Sequence, residues 1–393
     1  MIKKISKQQL KLGMYIHSLD CDWMTHSFIR NRFMLRNEAD LEQILAGSVG
    51  GIYIDTLKGL DVQPGPGEPA PGPSPAPWAR TSHREELAAA LQIKQEAFAI
   101  IHVLLTDVRM GRRVQVGLLE PLVDRIIDSI LRNPGTLVSL CRIREADSCT
   151  YQHSVSACAL LIMFGHHLHL GSAILHEAGI GGMLHDIGKV RVPDHILNKP
   201  GRLTDTEAMI MRDHVRLGLE TLSQTPGVSD LVVQVAAQHH ERLDGSGYPR
   251  KLKGFEISPM GRMATIVDVY DAMTSTRSYN TGVEPGVALQ RLYQGSHGFD
   301  QDMVQHFIQA IGIYPVGSLV RLESNRLAVV MEQNQGGLLH PVVRVVYDIG
   351  GDRPLAPFDL DLSGPENAGD GVLSHEEPAA WNLDPGSFLV LPL

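Results

Sequence analysis

The residues best suited to chemistry are concentrated in one stretch of the chain. Ten of its 18 histidines lie between residues 150 and 245. Within that stretch His185, Asp186 and Lys189 would share one helical turn, which would then present an imidazole, a carboxylate and an ammonium group together. A carboxylate can bridge two cations, and a lysine beside it can hold an anionic oxygen. A lone His-Asp pair is typical of a helix-surface hydrogen bond, so the interpretation depends on the residues that accompany it.

Further imidazoles and carboxylates recur on separate apolar segments. They are His153, His214, His239, His240 and Asp268. A single histidine facing a core is usually structural, whereas a lone buried aspartate is costly unless it is paired or metal-bound. Imidazole and carboxylate ligands without thiolate favour Fe, Mn or Zn. With His185 and Asp186 they make seven ligands, which are too many for one tetrahedral zinc. They predict two metals ~3.5–4 Å apart, an arrangement that hydrolyses phosphate esters.

Apolar helices are predicted to position these residues. His153 opens one such helix, and Thr204 with Glu207 has the form of a capping box that starts a helix of about five turns containing His214. Asp268 lies in another apolar helix, with Asp271 one turn later.

The two adjacent histidines impose a condition on their helix. Neighbouring helical residues point ~100° apart, so His239 and His240 can serve one metal only where the helix ends. Gly245, Gly247 and Pro249 supply that ending.

Five regions are predicted along the chain. Residues 1–61 form a small α/β domain, 62–82 a Pro/Gly-rich linker, 83–140 linking helices, 141–315 a helical catalytic domain, and 316–393 a small β and loop extension. The fold class is mainly α. An apolar stripe on residues 83–110 is expected to pack on the protein's own helices, and a homodimer seam is the alternative. The last 40 residues are expected to be mostly loop.

Composition excludes several classes of protein. The chain has 393 residues, of which 43% are hydrophobic and 20% charged, as in ordinary globular proteins. A net charge of −9 argues against a binder of nucleic-acid polymers. Four cysteines without CxxC spacing argue against a disulfide scaffold and a cysteine zinc site. The start lacks an apolar h-region, and no uninterrupted apolar run reaches 18 residues, so we expect no signal peptide, no membrane span and a cytoplasmic location.

Residues 150–315 resemble the HD-GYP family of metal-dependent phosphohydrolases. Both namesake motifs occur, as His185-Asp186 and Gly247-Tyr248-Pro249, within the longer strings HHERLDGSGYP (239–249) and DVYDAMTSTRSY (268–279). The resemblance implies an all-α, HD-type helical bundle that hydrolyses cyclic di-GMP to linear pGpG and, in some members, on to GMP. The N-terminal segment resembles a small domain of unknown function that precedes such domains, which implies a regulatory role.

The resemblance also implies roles for individual residues. His153, His185, Asp186 and Asp268 would bind one divalent metal, and Asp186, His214, His239 and His240 the other, with Asp186 bridging. The metals would be Fe or Mn, with Zn or Ni as alternatives. Lys189 would contact the substrate phosphate and assist catalysis, and Arg277 would bind phosphate. Asp271 is assigned to the substrate side. Tyr248 would either contact substrate or partner proteins or pack its own loop.

Two positions depart from some relatives. Cys149 stands where those relatives carry a third-metal glutamate, and Asn280 stands where some carry a phosphate-binding lysine. We therefore expect two metals and a reaction that accumulates pGpG, with GMP formed slowly if at all. Two alternatives stay open: a hydrolase of another cyclic dinucleotide or nucleotide, and a low-turnover cyclic di-GMP sensor or docking module for the diguanylate cyclases that make this messenger, contacted through the GYP loop.

Overall fold

The computed structural model describes residues 2–21, 33–35, 41, 44–45, 49–55, 59–60, 79–143, 149–275, 282–295, 298–334, 339–364 and 369–391. For some of these residues, Cys149 and Thr150 among them, it describes the backbone only. The chain divides into two compact units, Met1–Pro77 and Trp78–Leu393. The division falls at the end of the Pro/Gly-rich stretch.

The first unit is built on an antiparallel sheet. Its strands are β1 (Ile2–Ile5), β2 (Tyr15–Cys21), β3 (Phe33–Met34) and β4 (Val49–Asp55), in the order β1-β4-β2-β3. Alternate residues of β4, Ile52 and Ile54, are fully buried and pack with Ile16, which is the period of a half-buried strand. The sequence also predicts a short helix from Glu38 to Ala46 in this domain, and that segment lies mostly outside the described residues.

The second unit is mainly helical, as predicted. Its helices are α1 (His83–Arg109), α2 (Glu120–Arg132), α3 (Pro134–Arg142), α4 (Cys149–His167), α5 (Ser172–Leu184), α6 (Asp194–Leu197), α7 (Asp205–Arg212), α8 (His214–Ser223), α9 (Asp230–Gln238), α10 (Pro259–Thr274), α11 (Pro285–Gln294), α12 (Gln301–Ile311) and α13 (Pro385–Leu389). Short 3₁₀ helices include Val116–Leu118, Ile187–Arg191 and Gly254–Glu256.

Helix α4 is the centre of this bundle. Residues 152–165 are all buried, because α4 packs against α1, α2, α3, α5, α10 and α12. A helix that is apolar on every side is stable only inside a core. The His153 imidazole, in the second turn of this helix, is therefore buried inside the protein.

The predicted apolar stripe of α1 packs on neighbouring helices. Ile101, Leu105 and Val108 are buried, whereas Leu87, Leu91 and Phe98 are half-buried. By length and composition α1 would also be able to cross a membrane, and it is the one such helix among the described residues. That criterion is weak for a single helix, because core helices of globular proteins meet it as well. The dimer seam stays a prediction.

The chain ends in a second antiparallel sheet, which confirms the predicted β appendage. Its strands are β5 (Leu319–Leu322), β6 (Arg326–Glu332), β7 (Val342–Asp348), β8 (Arg353–Asp361) and β9 (Val372–His375), in the order β8-β7-β6-β5-β9. The expectation that the last 40 residues are mostly loop is wrong, because β8, β9 and α13 lie there. Strand β8 contains Pro354 and Pro357, which are compatible with an edge strand because an edge leaves one row of backbone groups unpaired.

The single helix predicted after Thr204 is two helices. The capping box is confirmed, since the Thr204 hydroxyl accepts from the Glu207 N–H and the Glu207 carboxylate accepts from the Thr204 N–H. Asp213, with ψ −11°, then separates α7 from α8. His214 is consequently the first residue of a new helix rather than the middle of a long one.

Candidate metal centre

Side chains from five elements meet at one buried point. Their sources are α4, the turn after α5, the start of α8, the end of α9 and the middle of α10. Among the described residues, two groups of ligand atoms lie within 4.8 Å of one another: one of Asp186, His214, His239 and His240, and one of His153, His185 and Asp186. Asp186 belongs to both groups.

The Asp186 carboxylate divides its two oxygens between two sets of imidazoles. Its Oδ1 lies 3.2 Å from His214 Nε2 and 3.6 Å from His239 Nε2. Its Oδ2 lies 3.4 Å from His153 Nε2 and 3.5 Å from His185 Nε2. This is the arrangement that a carboxylate bridging two cations requires.

The Asp268 carboxylate is placed in a similar way. Its Oδ1 lies 3.1 Å from His153 Nε2, and its Oδ2 lies 3.3 Å from His240 Nδ1. We expected Asp268 to serve the His153 side alone, but one of its oxygens faces the other imidazole group. The seven predicted ligands thus lie around two adjacent positions. The carboxylates of Asp186 and Asp268 each direct one oxygen to either position.

The outer ring nitrogens fix which imidazole nitrogen faces inward. His185 Nδ1 donates to the Gly182 carbonyl at 2.8 Å, His214 Nδ1 to the Met211 carbonyl at 2.7 Å, and His239 Nδ1 to the Ala236 carbonyl at 2.9 Å. A proton held at Nδ1 leaves the Nε2 lone pair of the neutral ring directed into the cluster, as metal ligation requires.

Without a cation, this arrangement brings hydrogen-bond acceptors face to face. The Nε2 atoms of His153 and His185 are 3.0 Å apart. Asp186 Oδ1 is buried and has no hydrogen-bond partner of good geometry among the described residues. Such an orphaned buried oxygen is costly. A divalent cation between the imidazoles and the carboxylate would satisfy both, so the residues fit a metal.

The charges of Asp186 and His185 support the same conclusion, whereas the neighbouring carboxylates outweigh burial at His153 and hold the pKa of that imidazole well above its usual value. Burial raises the pKa of Asp186, but Lys189 and the surrounding imidazoles outweigh it and hold that pKa well below its usual range. Burial lowers the pKa of His185 to about 3. Both groups are therefore in the form that binds a metal, an anionic carboxylate and a neutral imidazole, throughout the neutral pH range.

Asp271 lies behind His153 rather than on the substrate side. It is 1% exposed, and its Oδ2 accepts from His153 Nδ1 at 2.7 Å. Hydroxyl groups of Ser156 and Ser275 also donate to it. Asp271 therefore contacts His153 and not, as we expected, the substrate side. A carboxylate that accepts a hydrogen bond from the outer nitrogen of a metal-binding histidine orients the ring and raises its basicity.

Lys189 reaches Asp186 because the helix ends earlier than predicted. Helix α5 stops at Leu184, and Asp186 and Lys189 then belong to the turn and the 3₁₀ helix that follow. Side chains at i and i+3 eclipse in a 3₁₀ helix, and the Lys189 ammonium bonds Asp186 Oδ2. The α-helical turn that His185, Asp186 and Lys189 were predicted to share does not form.

Tyr248 stands at the edge of the cluster. Its ring centroid is 4.6 Å from that of His240, and the Arg212 guanidinium lies 5.5 Å from the centroid of the tyrosine ring. Burial raises the Tyr248 pKa, the carboxylates of Asp268 and Asp186 add to the rise, and Arg212 and Arg242 oppose it. Arg277 and Asn280 lie outside the described residues, as does the side chain of Cys149.

Comparison with known proteins gives the family. Residues 142–303 match the family described as HD domain, and residues 2–118 match a domain of unknown function, DUF3391. The chain is 41% identical over 390 residues to "Cyclic di-GMP phosphodiesterase PA4108" of Pseudomonas aeruginosa, covering 98% of this chain and 94% of that protein. This chain belongs to the HD-GYP family.

Other relatives of this HD-GYP protein match over shorter regions. "3'3'-cGAMP-specific phosphodiesterase 2" of Vibrio cholerae is 47% identical over 97 residues, 24% of this chain and 19% of that one. Among solved structures, the HDG"Y"P protein Bd1817 of Bdellovibrio bacteriovorus superposes with a TM-score of 0.47 at 13% identity, over 79% of this chain and 99% of that one. That low score adds nothing to the assignment. Membership makes the chain a hydrolase of a metal-dependent class.

One structural residue of the HD-GYP site was missed from the sequence. Glu241, fully buried, accepts from the backbone N–H groups of Arg250 at 2.7 Å and Leu252 at 2.9 Å. It holds the end of the Tyr248 loop against the turn that carries His239 and His240. The available signal was its position directly after the two histidines, where a buried carboxylate must find donors.

Proposed function

We propose that this HD-GYP protein hydrolyses cyclic di-GMP to linear pGpG with two divalent metal ions, Fe or Mn. The observation that carries the proposal is Asp186, whose Oδ1 faces His214 and His239 while its Oδ2 faces His153 and His185. One carboxylate between two imidazole sets is the donor pattern of a two-metal site. Five imidazoles and two carboxylates without a thiolate favour Fe, Mn or Zn, and seven ligands are too many for one tetrahedral zinc.

The substrate is inferred from the relative that spans nearly the whole chain. Its printed name is that of a cyclic di-GMP phosphodiesterase, and it shares 41% identity with this chain. Because the similarity includes the first unit and the C-terminal sheet as well as the bundle, it supports the same overall organisation. On that basis we propose residues 141–315 as the catalytic domain, residues 1–61 as a regulatory domain, and a cytoplasmic location.

The side chains of this site would divide the work as follows. A bound metal pair of this kind activates water and stabilises charge on a phosphate. Asp271 holds the His153 ring in orientation through its 2.7 Å hydrogen bond. Lys189, whose ammonium bonds Asp186 Oδ2 at the edge of the cluster, would place its positive charge against the developing charge of the phosphate. Apolar residues of α4, α9 and α10, including Ala157, Val235 and Val267, form the floor that excludes water.

The product should be pGpG because little positive charge remains to retain it. Linear pGpG carries a terminal phosphate that must be bound anew, and this chain has Cys149 and Asn280 where other members offer a glutamate for a third metal and a lysine. We expect Cys149→Glu to raise the metal content above that of the wild type and to increase the yield of GMP. Rapid and complete conversion to GMP by a two-metal wild-type enzyme would refute this interpretation.

The decisive experiment combines elemental analysis with a product time course. Protein purified without oxygen and loaded with Fe²⁺ or Mn²⁺ should contain about two metals per chain and accumulate pGpG from cyclic di-GMP in a chromatographic assay. The exposed His195 on α6 lies outside the cluster, so His195→Ala is a matched control for His185→Ala. Faster turnover of 3'3'-cGAMP would reassign the substrate, and binding without turnover would identify a sensor or docking module.

A further inference from the structure

The end of α9 is fastened to the start of α10 through one buried side chain. Gln238 is the last residue of α9 and directly precedes His239. Its Oε1 accepts from the Ser258 N–H at 2.8 Å and from the Ser258 hydroxyl at 2.9 Å. Ser258 is the N-cap residue of α10, and its hydroxyl oxygen also accepts from the Gly261 N–H at 3.0 Å. The Gln238 amide therefore binds the residue at which the next ligand-bearing helix begins.

Candidate metal ligands lie on both sides of this contact. His239 and His240 follow Gln238 directly, and Asp268 lies in α10, about three turns after Ser258. Because an α-helix is stiff over three turns, the position of Ser258 determines where the Asp268 carboxylate lies. That carboxylate approaches His240 Nδ1 to 3.3 Å. The contact between Gln238 and Ser258 thus sets the distance between His240 and Asp268.

Close packing leaves the Gln238 side chain little room to move. A Cβ added at Gly261 would lie 2.2 Å from Gln238 Oε1 and 2.7 Å from Gln238 Cβ. Thr265, one turn later, offers a weaker connection to the same residue. Its hydroxyl lies 3.2 Å from the Gln238 carbonyl oxygen but 2.9 Å from the Gly261 carbonyl oxygen, and a hydroxyl has a single proton to donate. The bonds of the Gln238 side chain are therefore the stronger of these two connections between α9 and α10.

Packing alone does not account for a glutamine at this position. A methionine of similar size would fill the same space, but it would leave the Ser258 N–H and hydroxyl without this acceptor. Hydrogen bonds need a defined distance and angle, so they allow fewer relative placements of two helices than apolar contacts do. The amide of Gln238 is suited to fixing geometry.

We propose that Gln238 is a positioning residue for the metal centre. By holding Ser258, it keeps Asp268 within reach of His240. It thereby maintains the second metal position, which is formed by Asp186, His214, His239 and His240. The first position, formed by His153, His185 and Asp186, depends on it less, because these three residues lie outside α9 and α10. This role rests on the proposed function, because it presupposes two metals.

The test measures metal binding to the full chain. In Gln238→Met the side chain keeps its size and loses its acceptor. Titration with Mn²⁺ should show one metal bound with near-normal affinity and the other with an affinity lowered about 10–100-fold, the usual loss when a residue behind the ligands is replaced. Electron paramagnetic resonance should then show single Mn²⁺ ions where the wild type shows a coupled pair. Gln92→Met makes the same change at an exposed position of α1 and should leave both metals in place.

Gln238→Glu distinguishes the two hydrogen bonds from the rest of the side chain. A carboxylate can accept both bonds from Ser258, so this variant should recover most of the affinity that Gln238→Met loses. Ser258→Ala removes one of the two donors and should lower the same affinity by less. In a Gln238→Met background, Ser258→Ala should have little further effect, because the bond between them is already absent. Ser258→Ala also carries the titration if Gln238→Met does not fold.

Three results would overturn the role of Gln238. They are wild-type affinity for both metals in the folded variant, equal weakening of both metals, and no recovery in Gln238→Glu. The proposed function fails separately, if the wild type holds two metals but does not hydrolyse cyclic di-GMP, and the titration then still decides the role of Gln238. A wild type that binds a single metal would refute both.

Discussion

At the scale of single residues, the distribution of carboxylate oxygens determines what the centre can do. Asp186 and Asp268 each direct one oxygen to His153, while their other oxygens face His214 and His240 respectively. The position of Asp186 between the two imidazole sets could be predicted from the family resemblance. The contact of Asp268 with His240 could not be predicted, because it depends on how closely α10 approaches the end of α9.

Replacement of Asp186 should remove both metals. In Asp186→Ala the anion shared by the two imidazole sets is lost, so we expect hydrolysis to be abolished. The affinity for metal should fall by more than the about 10–100-fold loss that is usual for variants of residues behind the ligands. Elemental analysis and turnover measure this. Asp194→Ala, which alters an exposed aspartate paired with Arg109, is the control and should retain both. Full metal content with normal activity in Asp186→Ala would exclude the bridging role.

Replacement of Lys189 should separate chemistry from metal binding. Its ammonium cannot ligate a metal, and its present partner Asp186 would be neutralised by the cations instead. For Lys189→Ala we expect near-normal metal content and a kcat lowered about 10²–10³-fold, the usual effect of losing one group that stabilises transition-state charge. Loss of the metals in this variant would show that Lys189 maintains the site rather than contacting the substrate.

At the scale of elements, five of the seven candidate ligands are positioned by the ends of helices. His239 follows the last residue of α9, and this ending was predictable from Gly245, Gly247 and Pro249. The ending of α5 before His185 was not predictable, because no proline or turn sequence marks it. Its physical basis is tertiary: the 3₁₀ helix Ile187–Arg191 packs directly on α8.

Gly188 should be essential to that packing. A Cβ added there would lie 1.9 Å from the His214 carbonyl oxygen and 2.4 Å from the Gly218 nitrogen, both backbone atoms that cannot rotate away. We expect Gly188→Ala to destabilise the protein by about 1–3 kcal/mol and to weaken metal binding by separating Asp186 from His214. Urea unfolding and metal titration measure the two effects. Gly117→Ala, where the added methyl meets open space, should change neither.

At the scale of the whole molecule, the start of α1 joins the helical bundle to the C-terminal sheet. His83 Nε2 donates to the Leu389 carbonyl at 2.9 Å, and the His83 N–H donates to Glu332 at 3.1 Å. The apolar periodicity of α1 predicted that it packs inward. It could not identify these polar contacts, nor that the buried face includes Glu86, because they depend on partners distant in sequence.

Glu86 should make stability depend on pH. It is 2% exposed and accepts two hydrogen bonds of 2.7 Å from Arg132. Burial raises the Glu86 pKa, but the hydrogen bonds from Arg132 and Thr81 and the positive charge of Arg132 outweigh it, so the pKa lies below the ordinary value of 4.5. A carboxyl group with a depressed folded-state pKa contributes stability above its unfolded pKa and loses it as the pH falls. The contribution is therefore complete at neutral pH and disappears progressively below about pH 4.5.

Glu86→Gln tests this pH dependence. The variant should be less stable than the wild type at pH 7 by about 1–3 kcal/mol, because Arg132 loses a charged partner, and the difference should shrink as the pH falls below 4.5. Urea unfolding of both proteins at several pH values measures it. Glu323→Gln, at an exposed position of the C-terminal unit, should follow the wild type at every pH. A Glu86→Gln deficit that stayed constant from pH 7 down to pH 3 would mean that packing, and not the ion pair with Arg132, accounts for the contribution of Glu86.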